Sequence, residues 1–201
     1  GLGCLFFNMK KRLAMIYLMF AIKLFSLILL TDFVTGFVHF WIDQYGREEM
    51  PIVGKSVIKL NINHHKNPMD MTKRSYWSLT WSSWVLGFVI LLLWFLTFGK
   101  LDWEIVFLVV YGSQGNIIHK WAHRTKSQNG SVITLLQKWK IIPNKHQHRH
   151  HHNAPFDTFF CVQTIFLNPV LEKIRFWDGL IWVLTRVGFP PATVGEERGG
   201  Y

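Results

Sequence analysis

The chain has 201 residues, enough for one domain, and half of them are hydrophobic, with 10 Trp, 17 Phe and a mean hydropathy of +0.18. A soluble domain of this size rarely has that balance. The net charge of +10 does not read as nucleic-acid binding, because Lys and Arg alternate with long apolar stretches, as in a bilayer protein with basic cytoplasmic loops. The two cysteines, Cys4 and Cys161, exclude a disulfide framework and a Cys-rich zinc module.

In chain order, Met9-Lys10-Lys11-Arg12 reads as a natural start, and residues 1–8 as an alternative start or a trimmed fragment. Leu13 to Leu30 is apolar with one charge, Lys23, and continues without Pro through DFVTGFVHFWID. It is too long for a signal-peptide h-region and has no small-x-small cleavage site after it, so it is expected to be a retained helix reaching about Trp41. Lys23 either snorkels or faces protein. Residues 43–76 are polar, with Gly46, Pro51, Gly54 and Pro68 as breakers, and are expected to form a loop. Trp77 to Phe98 is a second apolar helix, with Trp77, Trp81 and Trp84 as an aromatic belt. After a turn at 99–102, Trp103 to Trp121 is a third helix, so the second and third form a hairpin. Ser131 is expected to cap a short amphipathic helix, VITLLQKWKII, stopped by Pro143. Phe159 to Leu171, interrupted by Asn168-Pro169, reads as a re-entrant or interfacial segment, and Phe176 to Phe189 is similar.

The expected fold is therefore all-α and membrane-integral, with about three to four transmembrane helices. One domain spans 1–201, with 1–12 as an N-terminal tail and 190–201 as a C-terminal tail. Tracing the crossings puts all ten histidines on one face. That face also carries thirteen Lys and Arg, six between 43 and 80 and seven between 120 and 149, against Lys10, Lys11, Arg12 and Lys100 opposite. The positive-inside rule makes the histidine face cytoplasmic.

Spacing says what the histidines are for. His39 and Asp43 are four apart, as are His119 and His123, so each pair shares a helix face one turn apart. His64-His65 is an adjacent pair, and HQHRHHH contains His148-x-x-His151-His152. Imidazole suits iron, zinc and copper. One tetrahedral zinc takes four ligands, so eight histidines from four segments suit two ions. A lone interfacial His is usually structural, and a poly-His run can be a disordered metal scavenger. Here Pro143 precedes the run and an aromatic segment follows it, which argues against disorder. The chain has no His-Glu-x-x-His, no Gly-x-Ser-x-Gly, no phosphate-binding Gly loop and no Glu-x-x-His pair of the soluble di-iron bundles.

DFVTGFVHFWIDQYG, PIVGK, His64-His65-x-x-Pro68, NIIHKWAH and HRHHHNAPFDTFFC followed by LEKI, in that order over roughly residues 31–178, resemble the Kua/CarF lipid desaturase family. The resemblance implies metal ligands His39, His64, His65, His119, His123, His148, His151 and His152, with Asp43 an accompanying carboxylate in the catalytic set. His146 and His150 fall outside the matched register. Asn67-Pro68 stands where the family has Asp-Pro, and KRSYWSLTWSS replaces a His- and acid-rich segment.

The implied function is an oxidoreductase of plasmalogen-type lipid metabolism. Two non-haem irons, with molecular oxygen and two electrons, would desaturate a phospholipid chain, the implied conversion being 1-O-alkyl lipid to vinyl ether (plasmanyl to plasmenyl). Lacking a flavin or Rossmann motif, the chain would take electrons from a separate carrier such as cytochrome b5 or a ferredoxin. Lys120, Arg124, Lys138 and Lys140 are candidates for docking the carrier or phospholipid head groups. The expected location is the endoplasmic reticulum of a eukaryote or the inner membrane of a bacterium. A lipid hydroxylase is the alternative enzyme. A membrane metal-binding or transport protein is the non-enzymatic rival, and it predicts that Lys23, Asp32 and Glu104 line a path through the spans.

Overall fold

The computed structural model describes residues 2–153 and 155–192; side chains of residues 2–6, including Cys4, and most of the expected C-terminal tail lie outside the described part. Ten α-helices and a π-turn make up the described residues, without a strand: α1 (Leu2–Tyr45), a π-turn (Gly54–Ile58), α2 (Lys59–Lys66), α3 (Asp70–Lys73), α4 (Tyr76–Phe98), α5 (Trp103–Gly112), α6 (Gly115–His123), α7 (Lys126–Lys138), α8 (Lys145–His148), α9 (Leu167–Lys173) and α10 (Phe176–Arg186).

Two helices, over Phe7–Tyr45 and Tyr76–Phe98, are long and apolar enough to cross a membrane. At 44 residues α1 is about 66 Å long, twice the ~30 Å of a hydrocarbon core. It starts before and ends after the expected limits because nothing from Leu2 to Tyr45 breaks it. The expected third span is two helices. The break has an identifiable cause: the Gln163 side-chain amide donates to the carbonyls of Tyr111 (3.2 Å) and Gly112 (3.4 Å), which an uninterrupted helix would use itself. The hairpin survives the break. Gly87 lies against Val109, Ser113 reaches the Ser83 carbonyl, Asn116 donates to the Leu79 carbonyl at 2.8 Å, and Lys120 to the Arg74 carbonyl at 2.5 Å. The turn closes at Gly99, whose φ of 69° favours glycine.

The polar 43–76 region departs most from expectation. It is mostly helical, because its breakers fall between the short helices rather than inside them. His64 and His65 end α2 instead of sitting in a loop. Likewise Thr125, not Ser131, supplies the capping box of α7, which kinks at Gly130 (φ 73°) and ends at Lys138. Pro169 does not interrupt α9, because it sits in the first turn, where its missing N–H is tolerated.

The core collects at one end of the bundle. Trp177 of α10 stacks on Phe40 (4.9 Å) and Phe33 (6.4 Å) of α1 and meets Phe160 edge-on at 5.0 Å. An extended strap, 156–166, runs antiparallel along α1. Gln44 donates to the Phe156 carbonyl (2.9 Å) at one end. At the other, Asp32 accepts the backbone N–H groups of Gln163 (2.9 Å) and Thr164 (3.1 Å) and the Thr164 hydroxyl (2.5 Å). Between them Gly36 lets the backbones meet, since a Cβ there would lie 2.7 Å from Cys161 Sγ and 3.2 Å from Cys161 Cα.

Candidate metal centre

Four pieces of chain deliver ligand-type side chains to one end of the bundle: the last turns of α1, the end of α2, the polar face of α6, and α8 with the turn after it. Helical spacing explains the first three. His39 and Asp43 lie one turn apart on α1, and His119 and His123 one turn apart on α6. His64 and His65 end α2, facing both. The fourth depends on Asn144, which caps α8 with Gln147 in a reciprocal capping box and so fixes the direction of the HRHHH run.

All nine candidate residues converge, in two adjoining groups. His64, His119, His123, His148 and His152 form one; His39, Asp43, His65 and His151 form the other. Within each group the ligand atoms lie within 4.8 Å of one another. Rings of one group lie 4.9 Å (His65–His152), 5.3 Å (His151–His152) and 5.6 Å (His39–His119) from rings of the other. His146 and His150 are exposed, pair with each other at 6.0 Å and belong to neither; His150 stacks on Phe159.

The five-histidine group is buried except for His152 and contains no carboxylate. Burial first, then neighbouring imidazoles, holds His64 and His148 well below the ordinary histidine pKa, and burial brings His123 down to about 3. These imidazoles are neutral at physiological pH, the form that binds metals. Nε2 atoms of His64 and His119 are 3.1 Å apart, and those of His148 and His152 are 3.0 Å apart. Two nitrogens at right angles, each roughly 2.1 Å from a shared ion, would be roughly 3.0 Å apart. His123 Nε2, His64 Nδ1 and His152 Nδ1 have no hydrogen-bond partner among the described residues.

In the second group the strap sets the tautomers. His39 Nδ1 pairs with the Phe160 carbonyl (3.0 Å), and His151 Nδ1 with the Thr158 carbonyl (2.9 Å). A carbonyl only accepts, so both Nδ1 atoms carry the proton. The Nε2 lone pairs then face Asp43 Oδ2 at 3.4 Å and 3.3 Å, while His65 Nε2 lies 3.2 Å from Oδ1. Lone pairs facing a carboxylate in a buried site repel unless a metal ion or a proton lies between them. The backbone carbonyls behind the imidazoles are the outer shell that orients metal-binding histidines. Both groups therefore fit a metal ion, and Asp43 belongs within the second donor set rather than beside a shell of histidines alone. Asn61 donates to the same carboxylate.

The spacing of ligand-type residues did not identify Asp32, Gly36 and Asn61. Asp32, Gly36, His39 and Asp43 fall at i, i+4, i+7 and i+11, one stripe of α1, and that periodicity was a readable signal. The residues offered for a transport path do not form one: Lys23 pairs with Glu104, and Asp32 holds the strap. Lys120, offered for docking, is engaged with the Arg74 carbonyl, while Lys138 and Lys140 are exposed.

Comparison with known proteins gives a consistent picture. The lipid desaturase domain family matches residues 28–192. Plasmanylethanolamine desaturase 1 of Mus musculus is 35% identical over 164 residues, 76% of this chain and 60% of the relative. Fatty acid desaturase 4, chloroplastic, of Arabidopsis thaliana is 29% identical over 176 residues, 85% of this chain and 53% of the relative. Plasmanylethanolamine desaturase of Myxococcus xanthus is 26% identical over 159 residues, 74% of this chain and 54% of the relative. The chain thus spans little more than half the length of these relatives. No solved structure matches it.

Proposed function

The chain belongs to the lipid desaturase domain family, and from that membership we propose that it is a membrane-integral, di-iron, oxygen-dependent phospholipid desaturase. The reaction we assign is removal of two hydrogens from adjacent carbons of a 1-O-alkyl chain to leave a vinyl ether. The observation that carries this reading is the pair of adjoining ligand groups, one of five imidazoles and one of three imidazoles and a carboxylate.

His64, His119, His123, His148 and His152 would hold one iron, and His39, Asp43, His65 and His151 the other. When bound, the irons supply the oxygen-activating, C–H-cleaving chemistry that no side chain offers. The chain's own residues do the rest. The Thr158 and Phe160 carbonyls keep protons on the Nδ1 atoms of His151 and His39, so that Nε2 is the atom that would bind the metal. Burial keeps His64, His123 and His148 neutral and water away from the reacting carbons. A separate carrier supplies two electrons, and the exposed Lys138 and Lys140 are placed to attract an acidic one. The thirteen basic residues flanking the site argue that it faces the cytoplasm.

Lipid analysis of cells lacking vinyl ethers, with and without the expressed chain, tests the assignment, alongside iron measurement on the purified protein. The expected product is acid-labile and two hydrogen atoms lighter than its alkyl precursor. A product heavier by one oxygen would make the protein a hydroxylase. Stoichiometric zinc with no iron-dependent product would overturn the oxygen chemistry altogether.

A further inference from the structure

Eight of the ten histidines lie in the two ligand groups, which leaves His146 and His150 without a role. They are the exposed members of the HQHRHHH run, on the outer side of the turn that buries His148 and His151. The backbone N–H of His148 donates to the Asn144 carbonyl (2.9 Å) and that of Arg149 to the Lys145 carbonyl (3.1 Å), so the chain is helical here. Positions 146 and 150 therefore share a face one turn apart. Their rings lie 6.0 Å apart. The ligand pair at the same spacing, His119 and His123, stands at 5.0 Å. Exposed side chains close a gap of about 1 Å by rotation alone.

Both ends of the pair are anchored. The Asn144 side chain accepts from the His146 backbone N–H (3.0 Å), and the His150 ring stacks on Phe159 at 5.0 Å and 25°. Stacking uses the face of a ring and leaves its nitrogens at the edge. No hydrogen-bond partner engages the ring nitrogens of either histidine among the described residues. The ligand groups, in contrast, are enclosed, and an ion arriving from water has to pass their wall. Of the four pieces that deliver ligands, the shortest is the four-residue α8 with the turn after it, and it alone carries exposed imidazoles.

We infer that His146 and His150 form a capture site for a hydrated divalent transition-metal ion, ferrous iron above all, which exchanges two waters for two imidazoles there before passing to the buried ligands. No electron moves in this exchange. Imidazole suits such ions. Two donors, with water in the remaining positions, hold an ion less firmly than a buried group of four or five, so transfer runs inward. Lys145 and Arg149, both exposed and next to the pair in sequence, weaken its hold on a cation further. The pair also touches its destination. Phe159, under His150, lies on the strap between Thr158 and Phe160, whose carbonyls orient His151 and His39. The inference rests on reading the two groups as metal sites, and not on the lipid reaction.

Anaerobic loading of the purified, iron-free full chain in detergent tests this. Ferrous iron is added at limiting and at saturating concentration, excess chelator stops uptake at set times, and the iron retained per chain is counted. At limiting iron His146→Ala and His150→Phe should each fill the centre roughly tenfold more slowly than the wild type, because capture makes the second encounter intramolecular. His150→Phe keeps a ring on Phe159 and removes only the nitrogens, which separates capture from stacking. At saturating iron all three proteins should reach the same iron count, which also shows that the variants fold. A second readout uses copper, the tightest-binding of the first-row divalent ions. The oxidised, iron-loaded wild type should bind one further cupric ion with a two-nitrogen electron paramagnetic resonance signature, and neither variant should. Equal filling rates at limiting iron overturn the inference, as does a wild type that binds no copper beyond its irons. A variant that never reaches the wild-type iron count would place its histidine in the centre and overturn it too. Slowed filling in the variants without any vinyl-ether product from the wild type would count against the lipid reaction alone; product with equal filling rates would count against the capture site alone.

Discussion

Asp32 never touches the ligand groups, yet replacing it should empty one of them. Its carboxylate receives two backbone N–H groups and a hydroxyl from the strap, all in a fully buried setting. Asn at this position keeps one acceptor and adds a donor. Whichever way the amide is turned, one strap N–H then faces another N–H. An unsatisfied buried donor costs ~1–3 kcal/mol, and the surviving bonds lose their charge assistance, so Asp32→Asn should destabilise the strap by about 2–4 kcal/mol. For a domain of this size that corresponds to a Tm lower by roughly 5–15 °C. The strap also carries the Phe160 and Thr158 carbonyls that fix His39 and His151, so the four-residue group loses its alignment. Iron per chain, measured on protein purified in detergent, should fall from two toward one. Thr164→Val removes the hydroxyl's bond to Asp32 and the one it accepts from the Phe166 N–H, but leaves both strap N–H bonds to Asp32, and should cost about 1–2 kcal/mol with both irons kept. Asp32→Asn protein with unchanged Tm and full iron would refute the idea that the strap positions the centre.

Other outcomes follow from the same geometry. His119→Ala and His123→Ala should each abolish desaturation and lower iron content while the protein still inserts, whereas His150→Ala, stacked on Phe159 outside both groups, should be mild; equal loss in His150→Ala and His151→Ala would show that the ligand register is wrong. The donor sets differ, so Mössbauer spectra of iron-loaded protein should resolve two inequivalent irons; one symmetric signal would contradict the assignment. Cysteines introduced at positions 55 and 128 should label from the cytoplasm and one at position 100 from the opposite side, because the 23-residue α4 separates the hairpin tip from the centre. Labelling of 55 and 128 from opposite sides would exclude a shared site.

Much of the centre was legible because ligand spacing and helix period are both local. His39 with Asp43 and His119 with His123 follow from one turn of helix, and the hairpin of α4 with α5 and α6 brings the second pair back to the end of the bundle where the first lies. The grouping was not legible. Nothing local assigns His64 to one group and His65 to the other; that depends on how α2 meets α1 and α6. Breakers misled the reading of 43–76, since Gly54 and Pro68 punctuate short helices there as readily as they would a loop. The broken third helix was hidden for a related reason: its cause, Gln163, is about fifty residues away in sequence. Asp32 drew notice as a charge inside a span, but its partners are backbone N–H groups with no signature of their own.

The level of the centre restricts which bond it can reach. Trp77 and Trp81, 68% and 45% exposed near the start of α4, are placed as an aromatic belt would be at that end. Lys120 contacts the Arg74 carbonyl, so α6 passes beyond this belt between His119 and His123. In the membrane placement proposed above, a metal centre there would sit level with head groups and the first atoms of a lipid chain. A carbon halfway along a chain lies roughly 10 Å deeper, near the middle of a leaflet in a ~30 Å core. To react it would have to fold back toward the centre, and the cavity of about 30 Å³ that abuts His148 is too small to admit it. The carbons next to the glycerol oxygen need no such room. An ether-linked chain also makes the first of those C–H bonds easier to break, because the adjacent oxygen stabilises the electron-poor carbon that results. Position and bond strength thus both support the vinyl-ether product proposed above.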